Sequence, residues 1–278
     1  MGSALSILVA AMLAGCAVAP SATGVGDDAS NSDPAFALPP AEAGFDYQLG
    51  GAYPPPSEVS VVERDRSDPP AQRGYDICYV NGFQTQPADS AAFVIEHPEL
   101  VLHREGEPVA DPGWPDEFLF DTSTPENRDA LAAVVEEWIR GCADDGFDAV
   151  EIDNLDSFLR SGDALTAEDN VTLAADYARI AHDAGLAIAQ KNAPQLSAQL
   201  RKRGYDFAIT ESCMQFTECN VYADAYDVVI DIEYTDELGV DGFAQACAES
   251  SRPATMILRD HDLVTPSDEQ YHYEDCSH

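Results

Sequence analysis

Reactive side chains gather in this sequence wherever a short apolar run stops. The places are Glu151-Ile152-Asp153-Asn154 with Asp156 just beyond, Lys191-Asn192, Glu211, Glu233-Tyr234 and Arg259-Asp260. One acid at the end of a strand is commonly a cap for the next helix. Five such ends in succession describe one face of a parallel sheet. Residues two apart in an extended segment share a side, so Glu151 and Asp153 face one way while Val150 and Ile152 face the other. Carboxylates placed like this can act as nucleophile, general acid or general base, according to which one holds a proton. Lys191 among so many acids is expected to position Asp153 and lower its pKa.

The elements that must carry these groups can be read as eight strands: Phe45–Leu49, Val59–Glu63, Ile77–Asn81, Ala149–Asp153, Ala187–Lys191, Phe207–Glu211, Val228–Glu233 and Thr255–Leu258. Between the fourth and fifth, Leu173, Ala174, Tyr177, Ala178 and Ala181 recur at helical spacing, and Gly185 stops the run. Asp129 to Cys142 repeats that pattern ahead of the fourth strand. Strands alternating with helices imply a parallel sheet, and eight of them imply closure into an α/β fold of the (β/α)8 TIM-barrel type. An open doubly wound sheet would want a glycine-rich phosphate loop after its first strand, and Gly50-Gly51-Ala52-Tyr53-Pro54 is not one. In a barrel, strands four and six lie about 9 to 10 Å apart at the backbone. Asp153 and Glu211 would then suit the two sides of one glycosidic bond, at either a retaining separation of about 5 Å or an inverting one of about 6.5 to 9.5 Å.

The 278 residues include 51 acids against 14 basic residues, a formal charge of −37, which excludes a nucleic-acid partner. The acids are spread along the chain, as on a solvated surface suited to a saline habitat; a field that attracts a polycationic substrate is the other reading. Residues 1–15 read as an apolar signal peptide, and Leu13-Ala14-Gly15-Cys16 as a lipoprotein cleavage site at which Cys16 is lipidated. Residues 16–43 read as a flexible tether, 44–278 as the barrel, and the protein as a monomer held at the outer face of a bacterial membrane by its lipid, or secreted. Six further cysteines in an exported chain suggest three disulfides. Cys213 with Cys219 is the closest pair, followed by Cys78 with Cys142 and by Cys247 with Cys276 as a clasp on the C-terminal tail. No zinc-type spacing is present, so no metal and no cofactor are expected.

The motifs FDYQLGGAYPPP (45–56), ICYVNGFQTQP (77–87), GFDAVEIDNLDSF (146–158), AIAQKN (187–192), DFAITESC (206–213), IEY (232–234) and ILRD (257–260) together resemble glycoside hydrolase family 114, the endo-α-1,4-polygalactosaminidases. The resemblance implies a TIM-type barrel, hydrolysis of α-1,4-linked galactosamine polymers without metal, and catalytic carboxylates at Asp153 and Glu211. Two departures are Glu63-Arg64-Asp65, where an aliphatic run closed by Asp is usual, and Ala193-Pro194-Gln195, which lacks an expected acid.

The mechanism read from this is retention, with Asp153 as nucleophile and Glu211 as general acid and then base. Candidate substrate-binding residues are Asp46, Gln48, Tyr79, Asn81, Glu151, Asn154, Asp156, Lys191, Asn192, Glu233, Tyr234, Arg259 and Asp260. Glu151, Asp156 and Glu233 could hold the ammonium groups of a cationic amino-sugar polysaccharide. Tyr79, Trp114 and Tyr234 are stacking candidates, although packing is the commoner role for an aromatic residue. Two alternatives are a non-catalytic glycan-binding lipoprotein on the same barrel and a metal-dependent hydrolase built on Glu151, Asp153 and Asp156.

Overall fold

A computed structural model describes residues 1–2 and 36–276. The expected signal peptide, Cys16 and most of the tether lie outside those residues. Eight strands follow in chain order: β1 (Gly44–Gln48), β2 (Val59–Asp65), β3 (Tyr75–Asn81), β4 (Ala149–Asp153), β5 (Ala187–Lys191), β6 (Phe207–Glu211), β7 (Val229–Tyr234) and β8 (Thr255–Arg259). Each pairs in parallel with the next. A ninth strand, β9 (Tyr273–Asp275), returns antiparallel along the free edge of β8. The result is a nearly closed barrel of the (β/α)8 type.

The seam between β8 and β1 is bridged by side chains. Arg259 donates to the Tyr47 carbonyl. The Thr255 hydroxyl donates to the carbonyls of Ala41 and Ala43 at 3.1 and 3.2 Å, and that of Tyr273 to Phe45 at 2.9 Å. Below, Tyr75 Oη donates to Ala37 O at 2.8 Å, and Phe36 stacks on His182 with centroids 4.7 Å apart. Residues 36–43, expected as part of the tether, therefore make specific contacts with the barrel.

Strand alternation sorts the side chains into two cores. Inside lie Phe45, Val61, Ile77, Ala149, Ala187, Phe207, Ile230 and Ile257. After a short α1 (Ser90–Glu96), Val80, Val150, Ile152 and Ile188 on the outside pack against α2 (Pro125–Asp145) and α3 (Ala167–Asp183). Thr124 accepts the Asn127 N–H at the start of α2, Pro125 occupies its first turn, and Gly146 ends it at φ +93°, a left-handed conformation that glycine adopts without strain. Shorter helices follow the later strands: α4 (Ser197–Lys202), α5 (Cys213–Phe216), α6 (Cys219–Ala223) and α7 (Gly239–Ala246).

The connections after β1 and β2 are loops, so among the described residues neither strand is followed by a helix, and polar side chains fill its outer face. Asp46 accepts hydrogen bonds from Gln48 Nε2 at 2.7 Å and Tyr53 Oη at 2.8 Å, while Gln48 Oε1 accepts from Arg64 Nε at 2.9 Å. All three expected disulfides form: Cys78–Cys142 ties β3 to α2, Cys213–Cys219 closes the turn after β6, and Cys247–Cys276 clasps β9 to the end of α7. By loop entropy the 64-residue span is worth about 4 kcal/mol and the 6-residue span about 2.

Candidate active site

The strands end at a cleft of about 850 Å³. Asp153 closes β4 and Glu211 closes β6, both partly exposed on its floor. Tyr79 Oη donates to Asp153 Oδ2 at 2.8 Å, and the backbone N–H of Asn154 donates to Oδ1 at 2.6 Å. Glu211 Oε1 accepts from Tyr234 Oη, and Oε2 accepts from Asn192 Nδ2 at 2.9 Å. Lys191, at the end of β5 between the two strands, points its Nζ to 3.5 Å from Glu211 Oε2, 3.6 Å from Glu151 Oε1 and 2.6 Å from Tyr47 Oη. Two carboxylates on alternate strands, each oriented by a tyrosine and an amide N–H, thus face one space, an arrangement able to serve acid/base or nucleophilic chemistry. The walls add Asp65, Glu117, Glu218, Glu237 and Asp262.

Residues 26–278 match the glycoside-hydrolase family GH114. The chain belongs to GH114. It is a glycoside hydrolase. No curated protein sequence matches it. Among solved structures, the barrel is similar to Aspergillus fumigatus Ega3 in complex with galactosamine: TM-score 0.67, 18% identity, 86% of this chain and 99% of that chain covered. It is also similar to the glycoside hydrolase domain of PelA from Pseudomonas aeruginosa, with TM-score 0.53, 15% identity and coverages of 82% and 98%. At these identities the likeness concerns the fold.

The electrostatics of this cleft follow from its buried lysine. Burial, the largest influence on Lys191, works to discharge it, but Asp153, Glu151 and Glu211 outweigh burial and hold its pKa well above the ordinary value. Burial likewise works to raise Glu211. There Lys191 and the hydrogen bonds from Tyr234 and Asn192 win, and the carboxyl lies below its usual range. Beneath this layer Glu63 and Glu151 are fully buried, and none of their four oxygens has a donor. Burial pushes Glu63 up to about 7 and Glu151 well above the carboxylate range, with each acid facing the other.

Of the expected site residues of this GH114 chain, Asp153, Glu211, Tyr79, Asn81, Asn154, Asp156, Lys191, Asn192 and Tyr234 line the cleft. Asp156 is engaged by Arg160 Nη1 at 2.7 Å rather than left open for an ammonium group. The other candidates are elsewhere. Glu151 points inward but lies under Lys191 with no exposure, so it cannot touch a sugar. Asp46 and Gln48 sit on the outer face of β1, in the polar network that replaces a helix. Glu233 is on the outer face of β7, where it accepts the Met214 N–H at 2.7 Å. Arg259 fills the seam, and Asp260 accepts the N–H groups of Val264 and His272 at 2.8 and 3.2 Å.

The metal-hydrolase alternative loses its geometry, because Glu151 and Asp156 are drawn away from Asp153. Among the described residues, the group with metal-ligand proximity is Cys213, Cys219 and Asp231, whose sulfurs are joined in a disulfide and offer no thiolate. The structure adds Tyr47, Arg160 and His261 to the cleft and Glu63 to the layer beneath it. Tyr47 was legible, since it shares the inward face of β1 with Phe45. The stacking of Tyr234 on His261, with centroids 4.3 Å apart, had no sequence signal.

Proposed function

We propose that this chain hydrolyses α-1,4-linked galactosamine-containing polysaccharide, with Asp153 and Glu211 on either side of the scissile bond. The observation that carries this reading is the pair itself: two carboxylates from alternate strands, held by separate tyrosines, facing one acidic cleft. A deacetylated galactosamine polymer is polycationic, and Ega3, solved with galactosamine, has the same fold. In the retaining mechanism Asp153 attacks the anomeric carbon while Glu211 protonates the leaving oxygen, and Glu211 then activates the water that releases the sugar. The depressed pKa of Glu211 favours a second reading in which the roles are exchanged, since an ionised carboxylate is ready to attack.

The test is incubation with defined galactosamine, glucosamine and N-acetylated oligomers, with products read by mass spectrometry. Cleavage of the galactosamine series supports the proposal. Binding without release of fragments would instead support the non-catalytic glycan-binding alternative. Anchoring by a lipidated Cys16 is a separate part of the proposal; Cys16→Ser should move the protein from the membrane fraction to the medium. Among the described residues no helix is long and apolar enough to cross a membrane. Unchanged membrane association of the variant would end the lipid-anchor reading.

A further inference from the structure

On the outer face of β7, where strands β4 and β5 present Val150, Ile152 and Ile188 to helices, stand two acids, Asp231 and Glu233. Both are fully buried. One oxygen of each is satisfied by β6 and the turn that follows it. Asp231 Oδ1 accepts from Thr210 Oγ1 at 2.7 Å and from the Cys213 N–H at 3.2 Å. Glu233 Oε1 accepts from the N–H groups of Met214 and Gln215 at 2.7 and 3.3 Å. Among the described residues the other two oxygens, Asp231 Oδ2 and Glu233 Oε2, have no donor. The titratable groups facing the pair are Tyr222 of α6 and Glu237 beyond β7, and neither is a cation. Two buried carboxylates side by side with two orphaned oxygens are costly; one proton placed between them satisfies both oxygens and removes one charge.

We propose that Asp231 and Glu233 share one proton and act as a single positioning clamp, fixing the turn from Ser212 to Phe216 and so the direction of the Glu211 carboxyl. The inference rests on reading Glu211 as one of the two working carboxylates. Ser212 directly follows Glu211 and takes a left-handed φ of +60°; its N–H donates to Ile232 O at 2.8 Å. The two acids bind the N–H groups of Cys213, Met214 and Gln215, which lie between the junction with the strand and Phe216, itself exposed and lining the cleft. Burial and the neighbouring Glu233 push Asp231 well above the carboxylate range, in keeping with a retained proton.

The test combines infrared spectroscopy with kinetics on Asp231→Asn, Glu233→Gln and Glu233→Ala. At pH 8 the difference spectrum of the parent protein against Asp231→Asn should contain the carbonyl band of a protonated, buried carboxylic acid. Either amide variant replaces the shared proton with an N–H donor, so Glu233→Gln should keep kcat within about twofold of the parent, as a rescue by the conservative change. Glu233→Ala should lower kcat by about 10-fold to 100-fold with KM little changed, as expected when a reacting group is misplaced. Absence of the carboxylic-acid band, or a Glu233→Ala variant with parental kcat, would overturn the clamp. If Glu233→Ala does not fold, the infrared band and the Glu233→Gln rescue still decide. Inactive Glu211→Gln beside fully active Glu233→Ala would sink the clamp alone, whereas fully active Glu211→Gln would sink the underlying site reading.

Discussion

Glu151 and Asp153 are two residues apart on one strand, face the same side, and differ in almost everything else. Asp153 meets the cleft and receives two donors, the Tyr79 hydroxyl and the Asn154 N–H. Glu151, one pleat deeper, about 6.6 Å along the strand, has no exposure and no donor, and it confronts Glu63. The upper carboxyls are ordered for chemistry by hydrogen bonds and by Lys191. In the lower two, burial outweighs the attraction of Lys191 and pushes both pKa values up. The position of an acid in the barrel layers, rather than its type, thus decides whether it meets the cleft or lies buried beneath it.

Removing the group shared by both layers should have the largest effect. Lys191→Met leaves Glu211, Asp153 and Glu151 without their buried cation, at a cost of roughly 3–5 kcal/mol of stability, and turnover should fall to near background. An unchanged melting temperature with activity retained would show that the layers are independent of Lys191. Next, Tyr234→Phe removes the hydroxyl donor to Glu211. A hydrogen bond to a charged group is worth about 1.5–3 kcal/mol, so kcat should drop by about 10-fold or more, and the Glu211 pKa should rise. The pH–rate profile of the variant should shift upward at its Glu211 limb; an identical profile would disconnect Tyr234 from the titration.

The lower layer gives a stability effect with a definite sign. The folded pKa of Glu63, about 7, lies above its ordinary value of 4.5. Between those values the folded state binds more protons than the unfolded one, so the stabilising contribution is complete below about 4.5 and is lost as pH rises through about 7. Glu63→Gln should therefore flatten the fall in stability between pH 5 and pH 8, by about 3 kcal/mol at most. Denaturant titrations at both pH values measure this, and an undiminished slope would place the proton elsewhere. The smallest effect belongs to the rim. Trp114 is 59% exposed and lines the cleft, so Trp114→Ala should raise KM on long oligomers by a few-fold, about 1 kcal/mol of stacking, with kcat and melting temperature unchanged.

All eight barrel strands were legible because alternation and apolar runs mark them, and their bounds agree with the structure to within about two residues. The fourth-strand register was legible for the same reason: Val150 and Ile152 had to face the helices, which left Glu151 and Asp153 inward. Depth was not legible. Nothing local separates Glu151 from Asp153 until the register of β2, β3 and β4 stacks Glu63 beside the deeper acid. Asp46, Gln48 and Glu233 were assigned to the site although they have the opposite parity to Phe45, Tyr47 and Tyr234 on their own strands. An outer face without a helix, or with a turn that needs capping, accepts acids as readily as a cleft does. The Arg160 cluster with Asp111, Asp156 and Asn154 depends on the long excursion between β3 and β4, whose path is set by tertiary contacts rather than by periodicity.

The central claim is that Asp153 and Glu211 react while Glu151 only supports, and turnover of three isosteric variants on an activated substrate, with and without azide, tests it most directly. Asp153→Asn and Glu211→Gln should keep the parental melting temperature and lose about 10²-fold to 10⁴-fold or more in rate. Azide should restore turnover in the acid/base variant alone: in Glu211→Gln if Asp153 is the nucleophile, and in Asp153→Asn if the roles are exchanged. Glu151→Gln should lose much less. An inactive Glu151→Gln beside an Asp153→Asn variant with near-normal turnover would contradict the account.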